Sequence, residues 1–436
     1  METVVADALR QSFVIEGGHA LSGHVQAAGN KNAALPILAA CLLTGEAVEL
    51  ANVPRILDVD TMLALLRGTG AEADWVGPND VRIDASGVTT TELDEELCNQ
   101  IRASILLSGP LLARFGTATI PPPGGDVIGR RRIDTHMHAL AALGAEIETG
   151  QRYEMRAERL RGTSLFLDEA SVTGTENAVM AAVLAEGETV LQNAACEPHV
   201  QDLCRYLVAL GADIDGIGSN VLRIRGVEAL SGGSHRLCPE HIEVASFIGL
   251  AAVTGSDITI DGAAPDDLLA VLPTFERLGV RVEQRGEGSI HVPAGQELVI
   301  QDDLGGQIPK IEDGIWPAFP SDLTSIAVVV ATQAHGTILV FEKMFENRLF
   351  FVDKLVGMGA RIIICDPHRV VVSGPAKLYG ERLESPDIRA GMAMLIASLC
   401  AEGVSTIGNI AQIDRGYERI DERLRSLGAR IERVDT

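Results

Sequence analysis

One segment of the chain combines an acid with several cations. Residues 121–132 read PPPGGDVIGRRR, so Asp126 is followed closely by Arg130, Arg131 and Arg132. Guanidinium groups bind phosphate and carboxylate in bidentate geometry, and a carboxylic acid in a dry site can deliver a proton. The prolines and glycines predict a loop. The segment therefore predicts a mobile loop that offers positive charge to an anionic substrate and carries an acid.

The chain that holds this loop is acidic. It has 436 residues and a formal net charge of −24, with 46% apolar and 22% charged residues. This charge argues against a general nucleic-acid or anionic-membrane binder, while the apolar content is enough for two ordinary domains. An anionic substrate must therefore be met by a local cluster of lysine and arginine.

The remaining composition favours a cytoplasmic protein. The start, METVVADALRQ, lacks the basic and apolar regions of a signal peptide, and the most apolar runs are too short or too polar to span a bilayer. The seven cysteines are scattered and form no CxxC pair, which is typical of reduced thiols.

A pair of histidines raises the question of a metal site. His136 and His138 have a spacing found in metal-dependent amidohydrolases, but the other eight histidines form no supporting set of ligands. We expect no metal and no cofactor, because lysine and arginine can do the cationic work.

A repeated pattern indicates the elements that hold the candidate residues. The motif Leu-Gly-Ala-acid-apolar recurs six times with small variations, with its glycine at positions 70, 144, 211, 279, 359 and 428. A second glycine precedes it each time, at 45, 116, 187, 255, 336 and 403. Each glycine follows an apolar stretch and precedes alternating residues, which predicts a helix that ends at the glycine and a strand after it. The repeat unit is about 70 residues long.

The six repeats predict two domains of three repeats each, with sheets wrapped around buried helices. Residues 15–26 predict an extra strand pair that has no helix before it, and we expect this pair to join the second half of the chain. The predicted domains are 30–237, which carries the loop 121–132, and 1–29 plus 238–436. Two strands would then connect the halves as a hinge.

Taken as a whole, the sequence resembles the enolpyruvyl transferases. The resemblance runs essentially end to end and depends on eight motifs in order: GNKNAALPILAA (29–40), NVPRILDVDTM (52–62), IRASILLSGPLLARFG (101–116), PGGDVIGRRRIDTH (123–136), SVTGTENAVMAAVLAEG (171–187), AFPSDLTS (318–325), MFENRLF (344–350) and IDRGYERIDERLRSLGARIERV (413–434). The resemblance implies an α/β fold, a two-domain inside-out α/β barrel with six βαβαββ-like repeats, three per domain, and a double-stranded hinge.

Within this family the chain is similar to the branch that uses a UDP-sugar. The implied reaction transfers the enolpyruvyl group of phosphoenolpyruvate to the 3-hydroxyl of UDP-N-acetylglucosamine and releases phosphate, at the first committed step of peptidoglycan synthesis. Addition precedes elimination, through a tetrahedral intermediate. Such a site needs cations for the anionic groups, an acid for the methylene carbon and a base for the hydroxyl.

The resemblance also implies roles for particular residues. Lys31, at a predicted helix start, is implied to contact phosphoenolpyruvate together with Asn32. Asp322 could be an N-cap of the following helix, but the family places an aspartate there against the attacking hydroxyl. Arg415 is implied to be catalytic. Further positions implied to bind substrate are Arg102, Arg131, Arg132, Ile133, Asp134, Thr135, Glu169, Ala170, Ser171, Val172, Met344, Arg348 and Arg389.

Three positions depart from the usual pattern of the family. Asp126 stands where the reactive loop residue is usually a cysteine, so Asp126 is the predicted proton donor. Fosfomycin alkylates the cysteine thiolate, and a carboxylate is a much weaker nucleophile, so we expect an enzyme that is insensitive to fosfomycin. Glu169 replaces a lysine near the diphosphate and Arg132 replaces a proline. We hypothesise that Arg132 compensates for Glu169.

Two other functions stay open at this point. An enolpyruvyl transferase that acts on a different nucleotide acceptor is compatible with Glu169 and Arg132. A non-catalytic paralogue that binds nucleotide-sugar is a second alternative, although Lys31, Asp322 and Arg415 argue against it.

Overall fold

The computed structural model describes residues 11–126, 128–129 and 131–435. Its contacts divide the chain into two compact units. The N unit comprises residues 28–126 and 131–238, and the C unit comprises the described residues of 1–27, 127–130 and 239–436. Each unit has its own apolar core. Whether the predicted domains 30–237 and 1–29 plus 238–436 move as separate bodies stays a prediction.

The N unit alternates helices with short strands. Its α-helices are Lys31–Ala40, Leu57–Gly68, Glu95–Gln100, Ser108–Phe115, Asp134–Ala142, Val172–Ala182 and Pro198–Ala209, and 3-10 turns lie at Cys41–Leu43 and Arg102–Leu107. Its strands are Val48–Ala51, Glu72–Trp75, Val81–Asp84, Thr117–Ile120, Glu146–Thr149, Tyr153–Arg156, Ser164–Phe166, Glu188–Gln192, Asp213–Asp215, Val221–Arg225 and Gly233–Arg236.

The C unit has the same alternation. Its α-helices are His241–Thr254, Leu272–Arg277, Thr324–Gln333, Val352–Gly357, Ile388–Cys400, Ala411–Asp414 and Ile420–Ser426, and 3-10 turns lie at Pro265–Leu268 and Ser321–Leu323. Its strands are Gln11–Glu16, Ser22–Gln26, Asp257–Asp261, Glu283–Arg285, Ser289–Val292, Lys310–Glu312, Gly336–Phe341, Ile362–Asp366, Arg369–Gly374, Arg382–Glu384, Val404–Gly408 and Arg430–Asp435.

The described strands form three sheets in each unit, all on one plan. An edge strand runs parallel to the next strand, and two antiparallel strands complete the sheet. Val48–Ala51, for example, pairs in parallel with Gly233–Arg236 and antiparallel with Val81–Asp84. In the sheet of Thr117–Ile120, a single parallel bridge between Glu92 and Thr119 takes the place of the edge strand. The six repeats predicted from the glycines are confirmed.

The N-terminal strands complete sheets of the C unit. Gln11–Glu16 lies between Val404–Gly408 and Arg430–Asp435 and is antiparallel to both. Ser22–Gln26 runs parallel to Asp257–Asp261. The expectation that the extra strand pair joins the second half of the chain is confirmed.

Three central helices are almost completely buried in each unit. In the C unit His241–Thr254, Thr324–Gln333 and Ile388–Cys400 pack against one another. Lys31–Ala40, Ser108–Phe115 and Val172–Ala182 are the corresponding helices of the N unit. Helices that are apolar on every face belong in a core, and here sheets surround them.

Turn residues explain why the motif glycines are needed. The glycines at 70, 144, 211, 279, 359 and 428 all have a positive φ, between 84° and 107°. This left-handed conformation ends a helix at low cost only for glycine.

A second left-handed position, which we call the corner residue, directly follows the first strand of a repeat. Asn52, Asn193 and Asn409 occupy it with φ of 59°, 59° and 52°. Each side chain donates a hydrogen bond to the carbonyl of the residue after the edge strand, at 3.0, 2.9 and 2.8 Å. The asparagines thereby join two strand ends, and asparagine tolerates this conformation better than most residues.

Candidate functional site

Lys31 begins the first central helix of the N unit. The side chain of Asn30 caps this helix by accepting a hydrogen bond from the Ala33 N–H at 3.1 Å. Lys31 Nζ lies 2.7 Å from Asp58 Oδ2, and both side chains are buried. Asn32, the second residue of the helix, is half-buried. An ammonium group held at a helix N-terminus favours an anion in front of it.

The loop that carries Asp126 packs against the segment before the second central helix. The Gly124 N–H donates to the Cys98 carbonyl at 3.0 Å, and a side chain at Gly124 would overlap the backbone of Asn99. Gly125, with φ of 100°, lies against the backbone of Arg102. The glycines therefore permit a close approach that places half-buried Asp126 next to the Arg102 segment. Val127 and Arg130 of the predicted loop lie outside the described residues.

Arg102 holds the far side of the same loop. Its Nη2 donates to the carbonyl oxygens of Arg131 and Arg132 at 2.7 and 2.9 Å. Burial lowers the pKa of Arg102 to about 10, and the charge of Arg131 adds to the effect. A guanidinium that is short of solvent and repelled by a second cation favours a bound anion. Arg102 and Arg131 are thus brought together, as an anion site requires.

Arg132 is engaged with acids of the same unit. It is exposed, and it forms ion pairs with Asp134 at 3.0 Å and Asp168 at 3.4 Å. Asp134, Asp168 and Glu169 favour the charged guanidinium and raise the pKa of Arg132, with Asp134 the largest cause. Compensation of Glu169 by Arg132 stays a hypothesis, because the ion pairs of Arg132 are formed with two other carboxylates.

The other predicted nucleotide-sugar positions of the N unit lie at two helix starts. Ile133 occupies the N-cap position of the helix Asp134–Ala142, and Thr135 donates from Oγ1 to Asp168 Oδ1 at 2.7 Å. Glu169 is exposed and Ala170 is buried just before the third central helix. Ser171 caps that helix, which begins at Val172, by accepting from the Gly174 N–H at 3.1 Å. These starts present backbone N–H groups.

His136 is buried and hydrogen-bonded through both ring nitrogens. Its Nδ1 accepts from Asn177 Nδ2 at 3.1 Å and its Nε2 donates to Thr173 Oγ1 at 3.1 Å. Burial, with the Arg102 charge, lowers the pKa of His136 to about 3, which keeps the ring neutral. No group of three or more metal-ligating side chains occurs among the described residues.

Asp322 lies between two arginines in the C unit. Its Oδ1 accepts from Arg348 Nη2 at 2.7 Å, and its Oδ2 accepts from Arg389 Nε at 2.9 Å. The two guanidinium groups are buried, with 4% and 6% of their side-chain area exposed, whereas Asp322 retains 28%. The alternative that Asp322 caps the next helix is wrong, because Leu323 occupies the cap position and makes no side-chain cap. The carboxylate is oriented by its arginines instead.

Arg389 connects Asp322 with the starts of the other two central helices. Its Nη1 donates to the Tyr417 hydroxyl at 3.3 Å, and that oxygen lies 3.2 Å from Ser246 Oγ. Glu240 caps the helix His241–Thr254, and burial raises the pKa of Glu240 to about 7 against the opposing charge of Arg389. The nearby acids raise the pKa of Arg389, despite its burial. Charged groups of the C unit therefore converge at the helix starts.

Two further predicted residues lie after short elements of the C unit. Arg415 caps the short helix Ala411–Asp414 and donates from Nη1 to Gln412 Oε1 at 2.9 Å. Met344 is 40% exposed and follows the strand Gly336–Phe341. Both side chains have solvent access.

The sequence interpretation missed several residues of these surroundings: Asp58, Glu240, Asp313, Glu342 and Tyr417. A signal for Glu240 existed, since this acid directly precedes an apolar helix. For the others the signal was weak, because an isolated carboxyl or hydroxyl along the chain does not indicate its distant partner.

The arrangement in each unit suits chemistry on anions. The N unit combines an ammonium group, two guanidinium groups and helix N-termini, and the C unit presents one oriented carboxylate. Such groups can bind phosphate and carboxylate and can accept a proton from a hydroxyl.

Comparison with known proteins identifies the class. The family profile of EPSP synthase (3-phosphoshikimate 1-carboxyvinyltransferase) matches residues 15–424. The chain belongs to this family of enolpyruvyl transferases.

Two bacterial relatives are close in sequence. A UDP-N-acetylglucosamine 1-carboxyvinyltransferase of Bradyrhizobium diazoefficiens is 58% identical over 422 residues, which covers 97% of this chain and 98% of that protein. The protein of the same name from Treponema denticola is 53% identical and covers 96% of this chain and 98% of its own length.

The solved structures agree on the fold. The enolpyruvyl transferase NikO from Streptomyces tendae has a TM-score of 0.87 at 24% identity, over 98% of this chain and 99% of that chain. The predicted fold class, an α/β enolpyruvyl transferase fold of two domains, is confirmed.

Proposed function

We propose that this protein transfers the enolpyruvyl group of phosphoenolpyruvate to the 3-hydroxyl of UDP-N-acetylglucosamine and releases phosphate. The observation that carries this proposal is the 58% identity, over nearly the full length of both chains, to a protein named for this transfer. The product belongs to the first committed step of peptidoglycan synthesis.

Asp322 is the group that accepts the proton of the acceptor hydroxyl or orients that hydroxyl. Two buried guanidinium groups favour its ionised form and fix both oxygens. Its exposed fraction leaves room for one more hydrogen bond, from a substrate hydroxyl. As the hydroxyl oxygen attacks C2 of phosphoenolpyruvate, its proton passes towards this carboxylate.

The cations of the N unit serve the anionic donor. Lys31 at its helix start, Arg102 and Arg131 offer positive charge to the phosphate and carboxylate of phosphoenolpyruvate, and Asn32 offers an amide. By resemblance to the family, Arg415 clamps a substrate or the intermediate. The lowered pKa of Arg102 supports this role, because a bound anion would relieve the repulsion from Arg131.

The nucleotide-sugar is assigned to Arg131–Thr135, Glu169–Val172 and Met344. The helix starts at Asp134 and Val172 present backbone N–H groups, which suit phosphate oxygens.

Asp126 supplies the proton in the addition step. The C2–O bond forms while C3 takes a proton from the carboxylic acid, and this gives the tetrahedral intermediate. In the elimination, C3 returns a proton, the C2–O bond to phosphate breaks, and inorganic phosphate leaves. The contact of Gly125 with the Arg102 backbone supports a place for Asp126 beside the anion site. Folding of the loop 121–132 onto the second substrate would exclude water from the acid.

We also place the reaction in the cytoplasm. All seven cysteines are free thiols, which is the usual state in a reducing compartment. In the part of the chain that is described, no helix has the length and apolar character to cross a membrane.

Phosphate release from phosphoenolpyruvate with a panel of UDP-sugars tests the function. Release with UDP-N-acetylglucosamine supports the proposal. Release with another acceptor alone would replace it with a transferase of different specificity. No release with any sugar, while the nucleotide-sugars still bind, would indicate a non-catalytic paralogue.

The role of Asp126 has its own test. Asp126→Asn should lose most of the turnover, since the amide cannot donate the proton as a carboxylic acid does. The unmodified enzyme should resist fosfomycin, and Asp126→Cys should become sensitive to it. Time-dependent inactivation of the unmodified enzyme by fosfomycin would contradict this role.

A further inference from the structure

One residue at a position equivalent to the three corner asparagines differs from them in chemistry, and its φ is not positive. The residue after each edge strand donates its N–H to the last carbonyl of the first strand, as Leu237 does to Ala51 at 3.0 Å. Asp313 makes the same bond to Phe341 at 3.4 Å. The position equivalent to Asn52 is therefore Glu342, and the position equivalent to Leu237 is Asp313.

Glu342 accepts hydrogen bonds where the asparagines donate them. It is completely buried, at 0% exposure. Ser321 Oγ lies 2.9 Å from its Oε1 and 3.1 Å from its Oε2. The N–H groups of Met344 and Phe345 donate to Oε1 at 3.2 and 3.1 Å. One buried carboxyl thus contacts two separate segments of the C unit.

Both of these segments carry residues of the candidate site. Ser321 directly precedes Asp322 in the 3-10 turn Ser321–Leu323. Met344 begins the segment that leads to Arg348. The two segments meet again where Arg348 Nη2 contacts Asp322 Oδ1 at 2.7 Å. The contacts therefore form a closed ring, and Glu342 is its most completely buried member.

We propose that Glu342 is a positioning residue for the transfer reaction, which ties the turn of Asp322 to the segment of Met344 and Arg348. This inference rests on the proposed function. A ring closed through the core leaves the carboxylate of Asp322 one orientation, and a base that is misplaced by about 1 Å can cost a hundredfold in rate.

Asp313 is a second buried carboxyl of this arrangement. Its Oδ1 accepts a short hydrogen bond from the Lys343 N–H. Its Oδ2 is buried, and no N–H or hydroxyl group of the described residues donates to it. A proton held between the two carboxyls provides the donor that this oxygen needs. In agreement, burial and the neighbouring Asp313 raise the pKa of Glu342.

Three variants test the proposal against the unmodified enzyme. Glu342→Ala breaks the ring at both segments, so we expect kcat to fall and the KM for UDP-N-acetylglucosamine to rise, each by about tenfold or more. Ser321→Ala breaks only the contact to the Asp322 turn and should lower kcat with little change in that KM. Glu342→Gln mimics the protonated carboxyl, because its amide NH₂ can donate to Asp313, and it should restore most of the activity.

Ser398→Ala is the matched control. This serine is also buried in the C unit, and its hydroxyl makes no hydrogen bond with the described residues. It should leave kcat and both KM values unchanged. Thermal unfolding of every variant identifies any that fails to fold. If Glu342→Ala fails to fold, Ser321→Ala and Glu342→Gln decide the test.

The outcomes are distinguishable. Loss in Glu342→Ala and Ser321→Ala with recovery in Glu342→Gln supports the positioning role. Kinetic constants of folded Glu342→Ala or Ser321→Ala within about twofold of the unmodified enzyme would overturn it. Equal loss in Glu342→Gln and Glu342→Ala would also overturn it. If the unmodified enzyme itself fails to turn over UDP-N-acetylglucosamine, the proposed function fails, and the variant ratios are then measured with the acceptor that the panel identifies.

Discussion

Asn409 and Glu342 occupy equivalent positions in two repeats of the C unit, but their side chains make different contacts. Asn409 donates to the Ser385 carbonyl at 2.8 Å and joins two strand ends. Glu342 accepts from Ser321, Met344 and Phe345 and joins two segments of the candidate site. The repeat supplies a rigid position, and the side chain placed there decides whether that rigidity stabilises a sheet or orients a reactive group.

The largest effect should come from Asp322, which the Glu342 corner orients. Asp322→Asn keeps the shape of the side chain but removes the proton acceptor, so kcat should fall about a thousandfold, within the range for loss of a general base. Steady-state phosphate release measures this loss. A decrease of less than about tenfold would show that Asp322 only orients the hydroxyl. The decrease in kcat of the Glu342 variants should then be smaller still.

A direct exchange of the corner residues should separate activity from stability. Glu342→Asn gives this corner the residue that three other repeats have there, and we expect kcat to fall about tenfold because the shorter amide no longer connects both segments. The free energy of unfolding should change by only about 1 kcal/mol, because asparagine here can donate to the Asp313 carbonyl as the other corner asparagines donate to theirs, which offsets part of the lost hydrogen bonds. Urea unfolding beside kinetics checks both. A parallel loss of stability and activity would mean that this corner is structural too.

The contrast between the corners shows what the sequence could and could not predict. The glycine pattern predicted six repeats, and all six motif glycines adopt the left-handed conformation that the pattern requires. Local chemistry of this kind is visible along the chain, because a helix end and its turn lie within a few residues.

The surroundings of the candidate site were harder to predict. The family motifs indicated Asp322, Arg348 and Arg389, but not that both arginines contact the one aspartate. The contact of Asp313 with Glu342 joins residues from two strand ends, and nothing in either local sequence signals it. Such partners are determined by the register of a parallel strand pair, which single-sequence patterns do not give.

A pH profile should sharpen the comparison further. The pKa of Glu342 is raised by burial and Asp313, while Arg348 and the Ser321 hydroxyl oppose the increase and His368 contacts only the Glu342 carbonyl. A raised carboxyl pKa means that the protonated form is the one the fold holds. The stability that the protonated form contributes is therefore complete below the ordinary glutamate pKa, and it is lost as the pH rises through the raised pKa.

We expect kcat/KM of the unmodified enzyme to fall a few-fold more than that of Glu342→Gln between neutral and alkaline pH, because the amide of the variant does not ionise. The ratio of the two profiles removes titrations that both proteins share. A ratio that stays flat would mean that Asp313 and Glu342 share no proton within this range.

The smallest kinetic effect should appear at Asn409. Asn409→Ala removes one hydrogen bond and forces alanine into a left-handed conformation, so the free energy of unfolding should fall by about 2 kcal/mol. Asn409→Gly removes the same bond without the conformational cost and should lose less. Both variants should keep kcat and both KM values, because the Asn409 side chain joins two strand ends through the Ser385 carbonyl. A kinetic loss in Asn409→Gly comparable to that of Glu342→Asn would erase the distinction, since the corner position itself, and not the carboxyl, would then determine the geometry of the site.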